Sequence, residues 1–234
     1  MALPRPSTPL YNAVIPSTKQ KIRYRPFTVK EEKILMLAAE SQDSGEVANA
    51  VETVINNCLE TSIDVRSLAT FDIEYLFLRL RAKSVGEKIF LKTVAPDDGQ
   101  TEIDIEIDID KIGVDVPKEH TNKVKFSDNF MVVMKYPNIE FFSEGIDLSS
   151  LDASSKVLAR CISQIVDGEE VYQAADQTQE EIVEWIESLT SSQYGELEKF
   201  INTMPRLKHV VKTKNPVTGK TIEIPLEGLA DFFQ

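Results

Sequence analysis

Hydrophobic positions along the chain follow two periods, and the period changes three times. Residues 28–86 read as helix. "TVKEEKILMLAAES" opens on Thr28 with Glu31 three residues later, a capping box. Ile34, Leu35, Leu37 and Ala38 form its apolar side. Val47, Val51, Val54, Ile55 and Cys58 recur at helical spacing over about 44–59. A third helix over about 71–83, capped by Thr70, carries "YLFLRLR". It is apolar around most of its circumference and is expected to be central. The period then drops to two. "EKIFLKTV" and "TEIDIEIDI" flank the turn "APDDGQ", and "NKVKF" and "NFMVVMKYP" predict two more strands. Helical spacing returns over 152–167, with Val157, Leu158, Cys161, Ile162 and Ile165. Two further capping boxes follow, Thr178 with Glu181 and Thr190 with Gln193. The period of two comes back in "KHVVKTK" and "TIEIPL", around the turn "NPVTGK".

This pattern predicts an α+β fold. A helical body takes residues 28–86 and 150–204. A smaller antiparallel β module takes 87–136 and 206–225, formed by two hairpins distant in sequence. Residues 1–27 hold Pro4, Pro6, Pro9, Pro16 and Pro26, which forbids a helix and predicts an extended arm with "QKIRYRPF" as a short strand. Residues 226–234 form an apolar tail, "EGLADFF" within it. The hairpins echo each other: "APDDGQTEIDI" and "NPVTGKTIEI" share Pro-x-x-Gly-[Gln/Lys]-Thr followed by alternating Ile and acid. Coincidence competes with two related hairpins that meet in space. The spacing matches the paired knuckles of zinc ribbons, with Ala95, Asp98, Asn215 and Thr218 at the cysteine positions. None supplies a thiolate, so no four-cysteine zinc site can form.

Composition narrows the function classes. The chain has 234 residues, 42% hydrophobic and 27% charged, which fits an ordinary globular protein. Its net charge of −12 excludes nucleic-acid binding through a broad basic face. The charge is uneven: acids dominate 165–200, and bases dominate 19–33 and 204–220, so opposite segments can pair internally or face different partners. "MALPRPSTPL" lacks the apolar core of a signal peptide and no apolar run reaches membrane-span length, so the expected setting is cytosolic, without membrane insertion.

Little catalytic chemistry is visible. Cys58 and Cys161 sit at apolar helical positions, where a cysteine acts as a small hydrophobe. His120 and His209 are far apart, each near a lysine. There is no G-x-S-x-G, P-loop or G-x-G-x-x-G. Asp104, Glu106 and Asp108 resemble the start of a calcium loop, but its sixth position is Ile109 where glycine is needed, and its twelfth is Asp115. Their alternation with Ile103, Ile105 and Ile107 predicts the wet face of a regular strand, with carboxylates roughly 6–7 Å apart rather than converged on an ion. A carboxylate metal enzyme is the weakest reading, and no cofactor or metal is implied. Two stretches fit partner contact. Arg23, Tyr24, Arg25 and Phe27 combine arginine with aromatics, a composition enriched at interfaces. Leu229, Phe232 and Phe233 place large apolar groups in the tail. In each case the alternative is internal: the arginines pair with the protein's own carboxylates, and the tail covers its own core.

"IPSTKQKIRYRPFTVKEEKILMLAAES" resembles the N-terminal part of baseplate hub assembly proteins of T-even-type contractile-tailed phages. The resemblance continues through "NAVETVINNCL", "SIDVRSLATFDIEYLFLRLRAKSVGE" and "LEGLADFF". It implies a non-enzymatic protein needed to build the central hub, such as an assembly chaperone, with other hub or tail proteins as partners. A permanent hub subunit is the alternative. The implied location is the host cytoplasm during assembly, or the baseplate of the virion. Oligomeric state stays open.

Overall fold

A computed structural model of the chain describes residues 6–41, 43–139 and 153–227. Among these residues the fold is α+β, with six helices and eleven strands. The chain divides into two compact units: Met1–Asp115 with Arg206–Gln234, and Val116–Pro205. Both contain helices and strands.

In the first unit, β1 (Tyr11–Val14) and β2 (Lys21–Tyr24) form an antiparallel hairpin. The proline-rich arm is therefore extended, as its composition requires, but folded back on itself. Helix α1 (Val29–Ser41) follows, with the Thr28 backbone N–H donating to Glu31 Oε2 at 2.8 Å. Helix α2 (Ser44–Cys58) is capped by Asp43, which accepts from the Glu46 N–H at 2.9 Å. Helix α3 (Thr70–Ser84) is the centre of the unit. Phe71, Ile73, Leu76, Phe77, Leu78, Leu80 and Ala82 are all buried, so its whole circumference is packed. Its N-cap is Ala69, without a side-chain cap, and Thr70 is its first residue. Strand β3 (Lys88–Val94) pairs antiparallel with β4 (Glu102–Asp108), and β5 (Gly113–Asp115) adds to the edge of β10 (Arg206–Lys214) and β11 (Thr221–Glu227) in the order β11-β10-β5. Ile89, Leu91, Ile103, Ile105 and Ile107 from one hairpin share a core with Leu207, Ile222, Ile224 and Leu226 from the other, and with Leu78 and Ala82 of α3.

Arg79 of α3 fastens the turn between β4 and β5. Its guanidinium donates to the Ile109 carbonyl at 3.3 Å, the Ile112 carbonyl at 2.6 Å and Asp110 Oδ1 at 3.0 Å, and it stacks on Tyr75 at 4.8 Å. A planar fork that reaches several acceptors at once suits arginine and not lysine.

The second unit is a four-stranded antiparallel sheet in the order β6-β7-β8-β9, built from Lys123–Lys125, Phe130–Met134, Ile162–Asp167 and Glu170–Gln173. Helices α4 (Ala153–Cys161), α5 (Gln179–Glu187) and α6 (Ser191–Thr203) supply the other side of its core: Leu158, Ala159, Ile182, Ile186, Leu197 and Phe200 pack with Val124, Val132 and Met134. Both capping boxes read from the sequence are present, at Thr178 with Glu181 and at Thr190 with Gln193. The helix expected over 152–167 ends at Cys161, and Ile162–Asp167 is strand β8. Its neighbours are β7 and β9, so pairing with distant residues overrides a local spacing compatible with either period.

Candidate interaction surfaces

Three hairpin turns of the first unit share one backbone design. In each, a buried residue precedes proline, and its carbonyl accepts from the residue four positions on. Gly99 donates to Ala95, Gly219 to Asn215 and Lys19 to Ile15, each at 2.9 Å. That fifth residue is left-handed each time, with φ of 67° at Gly99, 72° at Gly219 and 59° at Lys19. The first residues also donate back across the turn, Ala95 to Thr101 at 2.8 Å, Asn215 to Lys220 and Ile15 to Gln20 at 2.9 Å. The sequence echo between 95–101 and 215–220 therefore has a third member, "IPSTKQ", in which lysine replaces the glycine.

The two glycine turns meet. Asn215 Nδ2 donates to Asp97 Oδ1 at 2.8 Å and to Asp98 Oδ2 at 3.0 Å. Its Oδ1 accepts from the Val217 and Thr218 N–H groups at 2.8 and 3.1 Å. Thr218 Oγ1 donates to Asp97 Oδ2 at 2.6 Å. Asn215, 1% exposed, uses every donor and acceptor of its amide. Hydrogen bonds from Thr101, Gln100 and Asn215 hold the Asp98 carboxyl well below the usual range. Where paired knuckles can share a metal, these share a network of amide, hydroxyl and carboxylate groups. The third turn points elsewhere: Ser17 donates through its N–H and Oγ to Asp72 of α3, which is fully buried and has its carboxyl pushed up by burial.

Of the interface residues read from the sequence, Tyr24 is only 3% exposed and lies 5.9 Å from Tyr11, ring to ring. Arg25 bonds Glu31 Oε1 at 3.0 Å, the Asn57 carbonyl at 2.8 Å and the Pro26 carbonyl at 3.0 Å. Burial raises the Glu31 carboxyl, but the bonds from Arg25 and Thr28 outweigh it and hold the group at about 2. Arg25 therefore pairs with the protein's own acid. Arg23 is exposed, with its backbone tied to Thr61 and Glu60, and Phe27 is half-buried with its N–H on Ser84 Oγ at 2.9 Å. Arg25 thus ties this segment to α1 and α2 and Phe27 ties it to α3, leaving Arg23 and part of Phe27 accessible. Leu229, Phe232 and Phe233 lie outside the described residues.

The acidic alternation is one face of a strand, as its period predicts. Ile103, Ile105 and Ile107 are buried, and Glu102, Asp104 and Glu106 are exposed. Across the hairpin they face Val94, Lys92 and Phe90, with Lys88 opposite Asp108. Phe90 is 70% exposed and Val94 is 48% exposed, so the face is aromatic as well as acidic. Lys88 reaches Glu106 at 2.5 Å.

The second unit holds a polar clasp that was not apparent from the sequence. His120 Nδ1 lies 3.0 Å from Thr203 Oγ1 and Nε2 lies 2.9 Å from the Tyr136 hydroxyl. The Thr203 hydroxyl donates to the Lys199 carbonyl at 2.7 Å, so Nδ1 carries the proton toward Thr203 and Nε2 accepts from Tyr136. The ring packs on Phe200 at 5.1 Å, and burial holds the imidazole below its ordinary range. Both cysteines are buried, and burial pushes the Cys58 thiol up to about 11 and the Cys161 thiol up to about 12. Among the described residues no three His, Cys, Asp or Glu side chains are placed to hold a metal ion, and no helix is long and apolar enough to cross a membrane.

The first unit offers exposed faces on hairpins joined to each other by hydrogen bonds. Residues 8–234 match the family described as T4 bacteriophage base plate protein. The chain belongs to that family. No curated protein and no solved structure gives a match. As a member of a phage baseplate family, it works among tail proteins.

Proposed function

We propose that this baseplate protein helps to build the central hub of the baseplate, through protein–protein contacts and without catalysis, as an assembly factor in the host cytoplasm. The family match over 8–234 carries the reading, because it spans both units. The surfaces offered to hub or tail partners are Arg23 and Phe27 beside the β1–β2 hairpin, where Tyr24 and Arg25 provide the rigid base, and the tail residues Leu229, Phe232 and Phe233. Buried thiols and a strand-bound acidic row argue against nucleophilic or metal chemistry as the source of function.

A phage carrying a nonsense codon in this gene tests the reading. Infection of a non-suppressing host is expected to yield tails that lack a complete hub, restored when the protein is supplied from a plasmid. Complete hubs without the protein would overturn it. Mass spectrometry of purified particles then separates the two forms of the role: an assembly factor is absent from finished virions, and a permanent subunit is present at fixed stoichiometry.

A further inference from the structure

The outer face of the second unit's sheet is set by register. Val124, Val132 and Ile165 are neighbours across β6, β7 and β8, and they pack on the helices. Residues one position away point to the opposite side. That side therefore carries two rows, Lys125–Met131–Val166–Val171 and Lys123–Val133–Gln164–Gln173. Met131, Val133, Val166 and Val171 lie outside the core that the helices cover, and Val171 is 51% exposed. Lys123 and Lys125 are exposed, and neither makes an ion pair among the described residues. Elsewhere, Lys88, Lys111, Lys199, Lys208 and Lys212 each reach a carboxylate. An apolar face edged by two unpaired lysines, on a protein of net charge −12, calls for an acidic and apolar partner.

The chain carries such a face itself. On the β3–β4 hairpin, Asp104 and Glu106 are two residues apart, as Lys123 and Lys125 are, so both pairs are spaced at roughly 7 Å. Phe90 sits directly across from Glu106, as Met131 sits directly across from Lys125. Asp104 sits across from Lys92 and makes no ion pair among the described residues, and Glu106 is held by Lys88 at 2.5 Å, a pair that docking would exchange for the partner copy's lysines. We infer that the Phe90–Asp104–Glu106 face of one copy docks on the Lys123–Lys125–Met131–Val171 face of a second copy, head to tail. The contact is heterologous, so it closes into a ring or continues as a chain of copies. Two small sheet faces sit at the low end of interface size, so the contact is expected to be weak and concentration-dependent. The inference rests on these two faces and not on the hub role.

Sedimentation velocity of the full-length protein at rising concentration tests it. The wild type is expected to gain mass with concentration at low salt and to lose that gain in roughly 0.5 M salt, where screening is short-ranged. K123E/K125E and D104K/E106K, all at exposed positions, are each expected to weaken association about tenfold or more. Mixing them is the decisive step. The unchanged acidic face of the first variant fits the unchanged basic face of the second, and the two reversed faces fit each other, so the mixture associates where neither variant does alone. Both variants keep a net negative charge, so general attraction between them does not produce this result. F90S is expected to weaken association without the salt response changing sign. Circular dichroism confirms that each variant is folded. A wild type that stays monomeric at all concentrations, an association that survives both variants, or a mixture that fails to recover would each overturn the inference.

Discussion

Lys19 holds a left-handed backbone, φ 59°, at the turn position where the two sister hairpins use glycine. A side chain there costs about 1–2 kcal/mol through the clash of Cβ with the following carbonyl, and glycine removes that cost while adding freedom to the unfolded chain. Lys19→Gly is expected to stabilise the protein by a few tenths to about 1 kcal/mol, seen as a rise of roughly 1–3 °C in melting temperature. His120 makes a second prediction at this scale, with a definite sign. The folded environment favours the neutral imidazole, because burial opposes charge and Nε2 must accept from Tyr136. The folded pKa is therefore below the unfolded one. The stabilisation from the clasp is complete above the unfolded value, near 6.5, and is lost as pH falls through the folded value. Melting temperature measured from pH 7 down to pH 5 should fall with acidity. His120→Gln keeps one donor for Thr203 and one acceptor for Tyr136 without titrating, and should flatten that slope.

At the scale of elements, the paired turns depend on Asn215. Its amide answers two carboxylates and two backbone N–H groups while 1% exposed. Asn215→Ala leaves those partners without it and should cost about 3 kcal/mol, as lost buried hydrogen bonds to charged groups do. N215D is the sharper probe. It sets a third carboxylate against Asp97 and Asp98, so its deficit should be largest at neutral pH and shrink as the carboxylates protonate, which chemical denaturation at two pH values measures. These turns also show how far the sequence could be read. The echo between 95–101 and 215–220 was legible because glycine and proline fix the turn in both. The third copy was hidden, because Lys19 gives no sign of a left-handed residue. The strands of β3 and β4 were legible because one face is buried and the period of two is long. Strand β8 was not, because Cys161, Ile162 and Ile165 continue the helical spacing of α4, and only pairing with β7 and β9 decides between the periods. The Arg79 clasp joins residues through the fold, so no local pattern announces it.

At the scale of the whole molecule, what matters is the role of the tail that follows strand β11. Strand β11 ends at Glu227, which is held by Lys208 at 3.0 Å and by Arg206 at 3.7 Å. Leu229, Phe232 and Phe233 follow within six residues. Their burial in the protein's own core would contribute roughly 1.5–3 kcal/mol each. Removal would then lower the melting temperature by on the order of 10 °C or more for a chain of this length. Docking on a partner gives a different result, because the isolated protein gains nothing from the tail. Deleting residues 229–234 is expected to leave the melting temperature within about 2 °C of the full-length value, a change of less than about 1 kcal/mol. The same deletion should abolish complementation of the nonsense phage. A truncated protein that melts far lower or precipitates would assign the tail to the core of the first unit and remove Leu229, Phe232 and Phe233 from the partner surface. A truncated protein that keeps its stability and still supports hub assembly would remove them as well, and would leave Arg23 and Phe27 beside the N-terminal hairpin as the contact on which assembly depends.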